Sequence, residues 1–122
     1  MKKILLVDDE PNIIMTLEYT FKKQNFQVFI APDCEEAMAI LKNETPDLII
    51  LDVMMPKVDG FETLSYIKSQ EDLGQCKVLF LSAKNRESDI QKGLDAGADA
   101  YFTKPFSIKK LVEQVNHLLL ED

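Results

Sequence analysis

Five short apolar runs, separated by stretches of helical period, leave few folds open to this chain. The runs are Lys3–Val7, Gln27–Ile30, Leu48–Leu51, Val78–Leu81 and Ala100–Phe102. The middle ones are nearly continuous in Val, Ile and Leu, as strands buried on both faces must be. Strands that alternate with helices predict an α/β fold, a parallel sheet wrapped by helices. The last helix is the plainest: Ile108, Leu111, Val112, Val115, Leu118 and Leu119 share one face, and Ser107 precedes them as an N-cap. The first begins near Pro11 and aligns Ile13, Leu17 and Phe21; the third aligns Phe61, Leu64 and Ile67 behind the turn pair Asp59-Gly60. Weaker helical patterns run from about Glu35 to Lys42 and from about Glu87 to Ala96. Gly93 lies inside the latter and costs about 1 kcal/mol relative to Ala, so a soft fourth helix is expected.

A length of 122 residues fits a single domain, 1–122, without a linker or repeat to divide it. At 46% hydrophobic and 29% charged residues, the composition is that of an ordinary water-soluble domain. Fourteen basic against 21 acidic residues give a net charge of −7, which argues against non-specific attraction to nucleic acid or anionic membranes. Cys34 and Cys76 match no metal or redox spacing and read as reduced thiols. The N-terminus lacks a signal-peptide layout, and no apolar run approaches the ~20 residues needed to span a bilayer. A cytoplasmic location, without membrane contact, is the expectation.

The chemistry is written at the strand ends. In an open parallel sheet, ligands collect beyond the carboxyl ends of the strands, where the strand order reverses. The first strand ends in Asp8-Asp9, the third in Asp52 and the fourth in Ser82, and the fifth runs into Lys104. If the first and third strands are neighbours, about 4.8 Å apart, three carboxylates share one pocket. One of them would be driven neutral unless a cation joined them, and Mg²⁺, a hard ion that takes oxygen ligands, suits the set. A carboxylate nucleophile, a metal, an ammonium and a hydroxyl are the parts phosphoryl transfer needs. Singly, each acid could be a cap or turn former, Ser82 could cap the fourth helix, and Lys104 could be a surface lysine. Their joint occurrence at four strand ends is what caps do not explain.

These residues resemble the receiver domains of two-component response regulators. The likeness spans the chain: Asp8-Asp9-Glu10-Pro11, Asp52-Val53-Met54-Met55-Pro56, Asp59-Gly60, Leu81-Ser82-Ala83, Gly97-Ala98-Asp99-Ala100-Tyr101 and Thr103-Lys104-Pro105-Phe106. The resemblance implies a doubly wound, flavodoxin-like sheet of order 2-1-3-4-5 flanked by five helices. It implies that Asp52 accepts a phosphoryl group, with Lys104 and Ser82 assisting. Mg²⁺ would be held by Asp9, Asp52 and the carbonyl of Met54, and by Asp8 largely through water. Ser82 and Tyr101 would form a switch, and the Lys104-Pro105 bond would be cis. The donor would be a phosphohistidine on a sensor kinase or histidine phosphotransfer protein. The reader would be an output domain or partner docking on the fourth helix, fifth strand and fifth helix. The domain itself would bind no nucleic acid and would assist its own chemistry without being an enzyme.

Some positions depart from that pattern. Ala100, Gln114 and Asn116 stand where members that dimerise through this face often carry an Asp and arginines, though Lys92, Asp95, Lys109, Lys110 and Glu113 offer other charge pairs. A monomer, or a weak phosphorylation-dependent dimer, is expected. Met54 and Lys84, each two residues past a site residue, overhang the phosphoryl position, and Met54 cannot orient water, so self-dephosphorylation should be slow. His117 reads as a solvated helix residue, and Met38, Met54 and Met55 as packing or loop residues. Three rival readings compete with this one: a phosphatase with an Asp nucleophile, a flavin-binding domain and a purely interacting receiver. The first would want an Asp at position 54, the second a phosphate loop in place of Asp8-Asp9. The third does not explain why the acids, hydroxyl and lysine are all present.

Overall fold

A computed structural model describes residues 1–54 and 59–120. Met55 and Pro56 of the acceptor motif, and the final Glu121-Asp122, lie outside the described residues. The elements run β1 (Lys3–Val7), α1 (Pro11–Lys23), β2 (Gln27–Ala31), α2 (Cys34–Leu41), β3 (Leu48–Asp52), α3 (Gly60–Ser69), a 3-10 turn (Glu71–Leu73), β4 (Lys77–Ser82), α4 (Glu87–Asp95), β5 (Ala100–Thr103) and α5 (Ile108–Leu120). All strands pair in parallel, in the order β2-β1-β3-β4-β5. This is the doubly wound sheet the sequence leads one to expect.

Burial divides the strands as their composition requires. β3 is buried throughout, and β1 and β4 are buried except at their first residues, whereas β2 and β5 at the edges are only half-buried along most of their length. Alternation along each strand feeds two cores. Leu5, Val7, Ile49, Leu51, Val78 and Phe80 pack beneath α2 and α3. Ile4, Leu6, Leu48, Ile50, Leu79 and Leu81 pack against Leu17 and Phe21 of α1 and Leu111, Val115 and Leu118 of α5. Each such side chain contributes roughly 1.5–3 kcal/mol by leaving water, which is why the sheet sits where it does.

Helix starts follow their capping chemistry. The carboxylates of Asp33 and Asp59 accept from the N–H groups of Glu36 and Glu62 at 2.8 and 3.0 Å, and Ser107 Oγ accepts from Lys110 N at 3.2 Å. α2 therefore begins at Cys34, one residue earlier than its apolar pattern suggests. Strand limits shift by similar amounts: β3 includes Asp52, and β4 runs from Lys77 to Ser82. Ser82 does not cap α4. That helix starts after Arg86, whose N–H is taken by the Asp89 carboxylate at 3.3 Å.

Gly93 has a reason that propensity does not disclose. A Cβ there would stand 2.8 Å from Tyr101 Cδ2 and 3.0 Å from Phe80 Cδ2. The glycine lets α4 lie directly on the aromatic pair, whose rings meet edge to face with centroids 6.1 Å apart. What the sequence presents as a weak point in α4 is a place where that helix lies too close to the sheet for a side chain.

Candidate functional site

Register assembles the site. Val7 pairs with Leu51, so the next residues, Asp8 just past β1 and Asp52 at the last position of β3, stand side by side. Both continue the rows that bury Ile4, Leu6, Leu48 and Ile50, and Lys104 continues the row of Ala100 and Phe102 on that same face. Lys104 is held at the right level by its own N–H, which donates to Ser82 O at 2.8 Å. Residues nearly a hundred positions apart in the chain thus meet at one end of the sheet.

The centre of the site is an ammonium among carboxylates. Lys104 Nζ lies 2.9 Å from Asp8 Oδ2, 3.2 Å from Asp52 Oδ2 and 3.4 Å from Glu10 Oε1. The Asp8 and Asp52 side chains are only 4% and 7% exposed, so water does little to screen these pairs. Their other oxygens take backbone donors: Glu10 N–H reaches Asp8 Oδ1 at 2.8 Å, and Met54 N–H reaches Asp52 Oδ1 at 3.0 Å. Burial pushes the Asp52 carboxyl above its usual range, and the Asp8 charge adds to this, against the pull of the Met54 N–H and Lys104. Burial draws Lys104 down, but the hydrogen bond it donates to Asp8 and the charges of both acids outweigh it and hold the ammonium above the ordinary lysine value.

Asp9 completes a group of acids that could hold a metal ion. One oxygen each from Asp8, Asp9 and Asp52 lie within 4.8 Å of one another, two of the residues buried and Asp9 exposed. An all-oxygen, carboxylate-rich set open on one side fits a hard divalent ion that keeps water ligands, such as Mg²⁺. The expected crowding of carboxylates is therefore real, and it gives a physical motive for cation binding.

The remaining expected residues sit around this centre. Met54 supplies a backbone donor to Asp52 and holds its side chain out, 55% exposed. Ser82 is fully buried and engages its own loop, its Oγ accepting from Lys84 N at 3.1 Å. Tyr101 is partly buried against Phe80, and its hydroxyl donates to the Lys84 carbonyl at 3.0 Å. Ser82 and Tyr101 thus grip the same loop from two sides. The Lys104-Pro105 bond is cis. His117 is exposed on α5, and both cysteines are buried, burial pushing Cys76 up to about 12, which keeps that thiol protonated and a poor ligand.

Two contributors to the site are not apparent from sequence reasoning. Gly60 lets the start of α3 close on the acceptor strand: a Cβ there would meet Asp52 O at 2.8 Å and Val53 Cα at 2.9 Å, and its N–H donates to Val53 O at 3.0 Å. Asp59-Gly60 signals a turn, but a turn alone does not tell that backbone must touch backbone. Glu10 is the other, and its signal is a third acid in succession at a single strand end.

Comparison with known proteins bears on this arrangement directly. Residues 4–116 match the family profile described as the response regulator receiver domain. The chain is 43% identical over 118 residues to the alkaline phosphatase synthesis transcriptional regulatory protein PhoP of Bacillus subtilis (strain 168). That match covers 97% of this chain and 48% of PhoP, so the chain spans about half the length of that relative. Among solved structures, the receiver domain of the Francisella response regulator 1452 superposes with a TM-score of 0.90 at 32% identity, covering 98% of each chain. The response regulator TrrA of Thermotoga maritima, solved in complex with Mg²⁺ and BeF, superposes with a TM-score of 0.84 at 33% identity, covering 97% of this chain and 99% of that one.

Proposed function

The chain belongs to the response regulator receiver domain family of two-component signalling, and from that premise we propose that it is phosphorylated on Asp52 in a Mg²⁺-dependent reaction. One observation carries this reading: Asp52 ends β3 buried, 3.2 Å from the Lys104 ammonium, with one oxygen each of Asp8, Asp9 and Asp52 within 4.8 Å of one another. In the reaction, a carboxylate oxygen of Asp52 attacks phosphorus. The phosphorus–nitrogen bond of a phosphohistidine breaks, and the imidazole leaves with the electron pair. Asp9, Asp52 and the Met54 carbonyl would hold Mg²⁺, with Asp8 acting largely through water. When bound, the ion would supply positive charge to offset that of the phosphoryl oxygens.

Lys104 is already beside the acceptor, and its ammonium turns from Asp52 to a phosphoryl oxygen. Ser82 Oγ, now engaged by Lys84 N–H, is the nearby hydroxyl that would move to donate to a second oxygen, drawing the loop of residues 82–84 with it. Tyr101 is fixed on that loop through the Lys84 carbonyl, so loop and ring shift together. The face made by α4, β5 and α5 then carries the signal to an output domain or protein. The unit is residues 1–122, working in the cytoplasm with a sensor kinase or histidine phosphotransfer protein as donor. It acts as a signalling domain that assists its own phosphorylation and dephosphorylation, as a monomer or a weak phosphorylation-dependent dimer.

The test is intact mass after incubation with acetyl phosphate, with and without Mg²⁺, for wild type and Asp52→Asn. One adduct that requires both Mg²⁺ and Asp52 is expected. Labelling that persists in Asp52→Asn would refute the assignment.

A further inference from the structure

Resting on the reading of Asp52 as acceptor, we propose that Glu10 is a specificity-determining residue that screens phosphoryl donors by charge. Glu10 occupies the N-cap position of α1, yet its side chain makes no capping hydrogen bond. Shorter polar side chains serve that position better, so capping does not explain a glutamate here. Its backbone is not free to wander, because its N–H is tied to Asp8 Oδ1 at 2.8 Å. From that anchor the carboxylate turns to Lys104, with Oε1 3.4 Å from Nζ. Asp8 and Asp52 hold the ammonium from the buried side, while Glu10, 55% exposed, holds it from the solvent side.

That placement has a consequence for any donor. A phosphoryl group coming from solvent must bring its oxygens to Lys104, past a carboxylate that already claims the same ammonium. Glu10 therefore opposes donors in proportion to their uncompensated negative charge. A donor whose nitrogen leaving group carries a positive charge, on an ammonium or a protonated imidazole ring, offsets part of that charge, whereas an acyl phosphate does not. Glu10 thus biases the site towards phosphorus–nitrogen donors over acyl phosphates.

Acetyl phosphate, a dianion near neutral pH, and phosphoramidate, with a protonated nitrogen and a single net negative charge, separate the two cases. With the first, the new bond from Asp52 to phosphorus forms as the bond to the acetate oxygen breaks and acetate leaves. With the second, the phosphorus–nitrogen bond breaks and ammonia leaves. Labelling rates with Mg²⁺ would be followed by intact mass for wild type, Glu10→Gln and Glu10→Lys, from low salt to about 1 M, where the screening length falls to about 3 Å. Exposed charge pairs are worth a factor of up to about five. Glu10→Gln should accelerate acetyl phosphate by roughly two- to fivefold at low salt and phosphoramidate by less. Glu10→Lys should move the donor ratio further the same way, and high salt should shrink both effects.

Equal changes with both donors, or a changed ratio that ignores salt, would show that Glu10 only supports Asp8 or the helix start, and would overturn the proposal. So would an unchanged ratio in both variants. If neither donor labels the wild type, the acceptor reading fails and this one falls with it.

Discussion

Replacing Lys104 with methionine removes the positive charge on which the acid cluster is built. Its ammonium is the shared partner of Asp8 at 2.9 Å and Asp52 at 3.2 Å, both nearly inaccessible to water. Removing one member of a buried ion pair costs about 3–5 kcal/mol, because the remaining charge stays buried. Two routes reduce that figure: Asp52 can take up a proton, and the exposed Asp9 side admits water. A loss of about 2–3 kcal/mol follows at neutral pH without divalent ions. With about 2.1 cal/mol/K of unfolding entropy per residue over 122 residues, 1 kcal/mol moves Tm by about 4 °C, so the expected drop is about 8–12 °C.

Calorimetry and urea unfolding in EDTA would measure this drop, and two controls test its cause. Adding Asp52→Asn to Lys104→Met should restore most of the loss, and so should Mg²⁺, which replaces the missing charge. The pH dependence has a definite sign. Asp52's folded pKa is raised above its unfolded value, so its stabilising contribution is present below the unfolded pKa and fades as pH rises through the folded one. Lys104, also raised, keeps its contribution through neutral pH and loses it only in the alkaline range. The deficit of Lys104→Met should therefore shrink as pH falls and Asp52 becomes neutral. A Lys104→Met protein as stable as wild type in EDTA at neutral pH would refute this reasoning. It would mean that stripping water from the ammonium costs as much as the two carboxylates return.

Other outcomes follow from the same geometry. Gly60→Ala, whose Cβ would press on Asp52 O and Val53 Cα, should cost about 1–3 kcal/mol in urea unfolding and slow labelling of Asp52; unchanged values of both would show that α3 can shift freely. Met54, exposed and unable to orient water, should leave the phosphoryl group long-lived, and Met54→Asn should shorten its half-life as followed by mass. Rapid decay that is the same in both proteins would sink that idea.

The elements of this fold are legible in the sequence because their causes are local. Short apolar runs and helical-period patterns mark strands and helices, and Asp59 and Ser107 mark helix starts by side chains that accept from nearby backbone N–H groups. Polar residues at the ends of apolar runs likewise mark the end of the sheet where chemistry collects, and their motifs carry the family resemblance. What tertiary structure alone decides is who touches whom. The pairing of Val7 with Leu51 sets Asp8 beside Asp52, and the β4–β5 register brings Lys104 between them. Gly93 looks like a helix flaw until α4 is laid against Phe80 and Tyr101, and Gly60 looks like a turn residue until α3 closes on β3. Glu10 is one acid of three in the sequence, and only its distance to Lys104 distinguishes it. Local patterns follow from steric and hydrophobic rules acting over a few residues. Contacts between segments depend on register and close packing across the whole chain, which no short stretch of sequence contains.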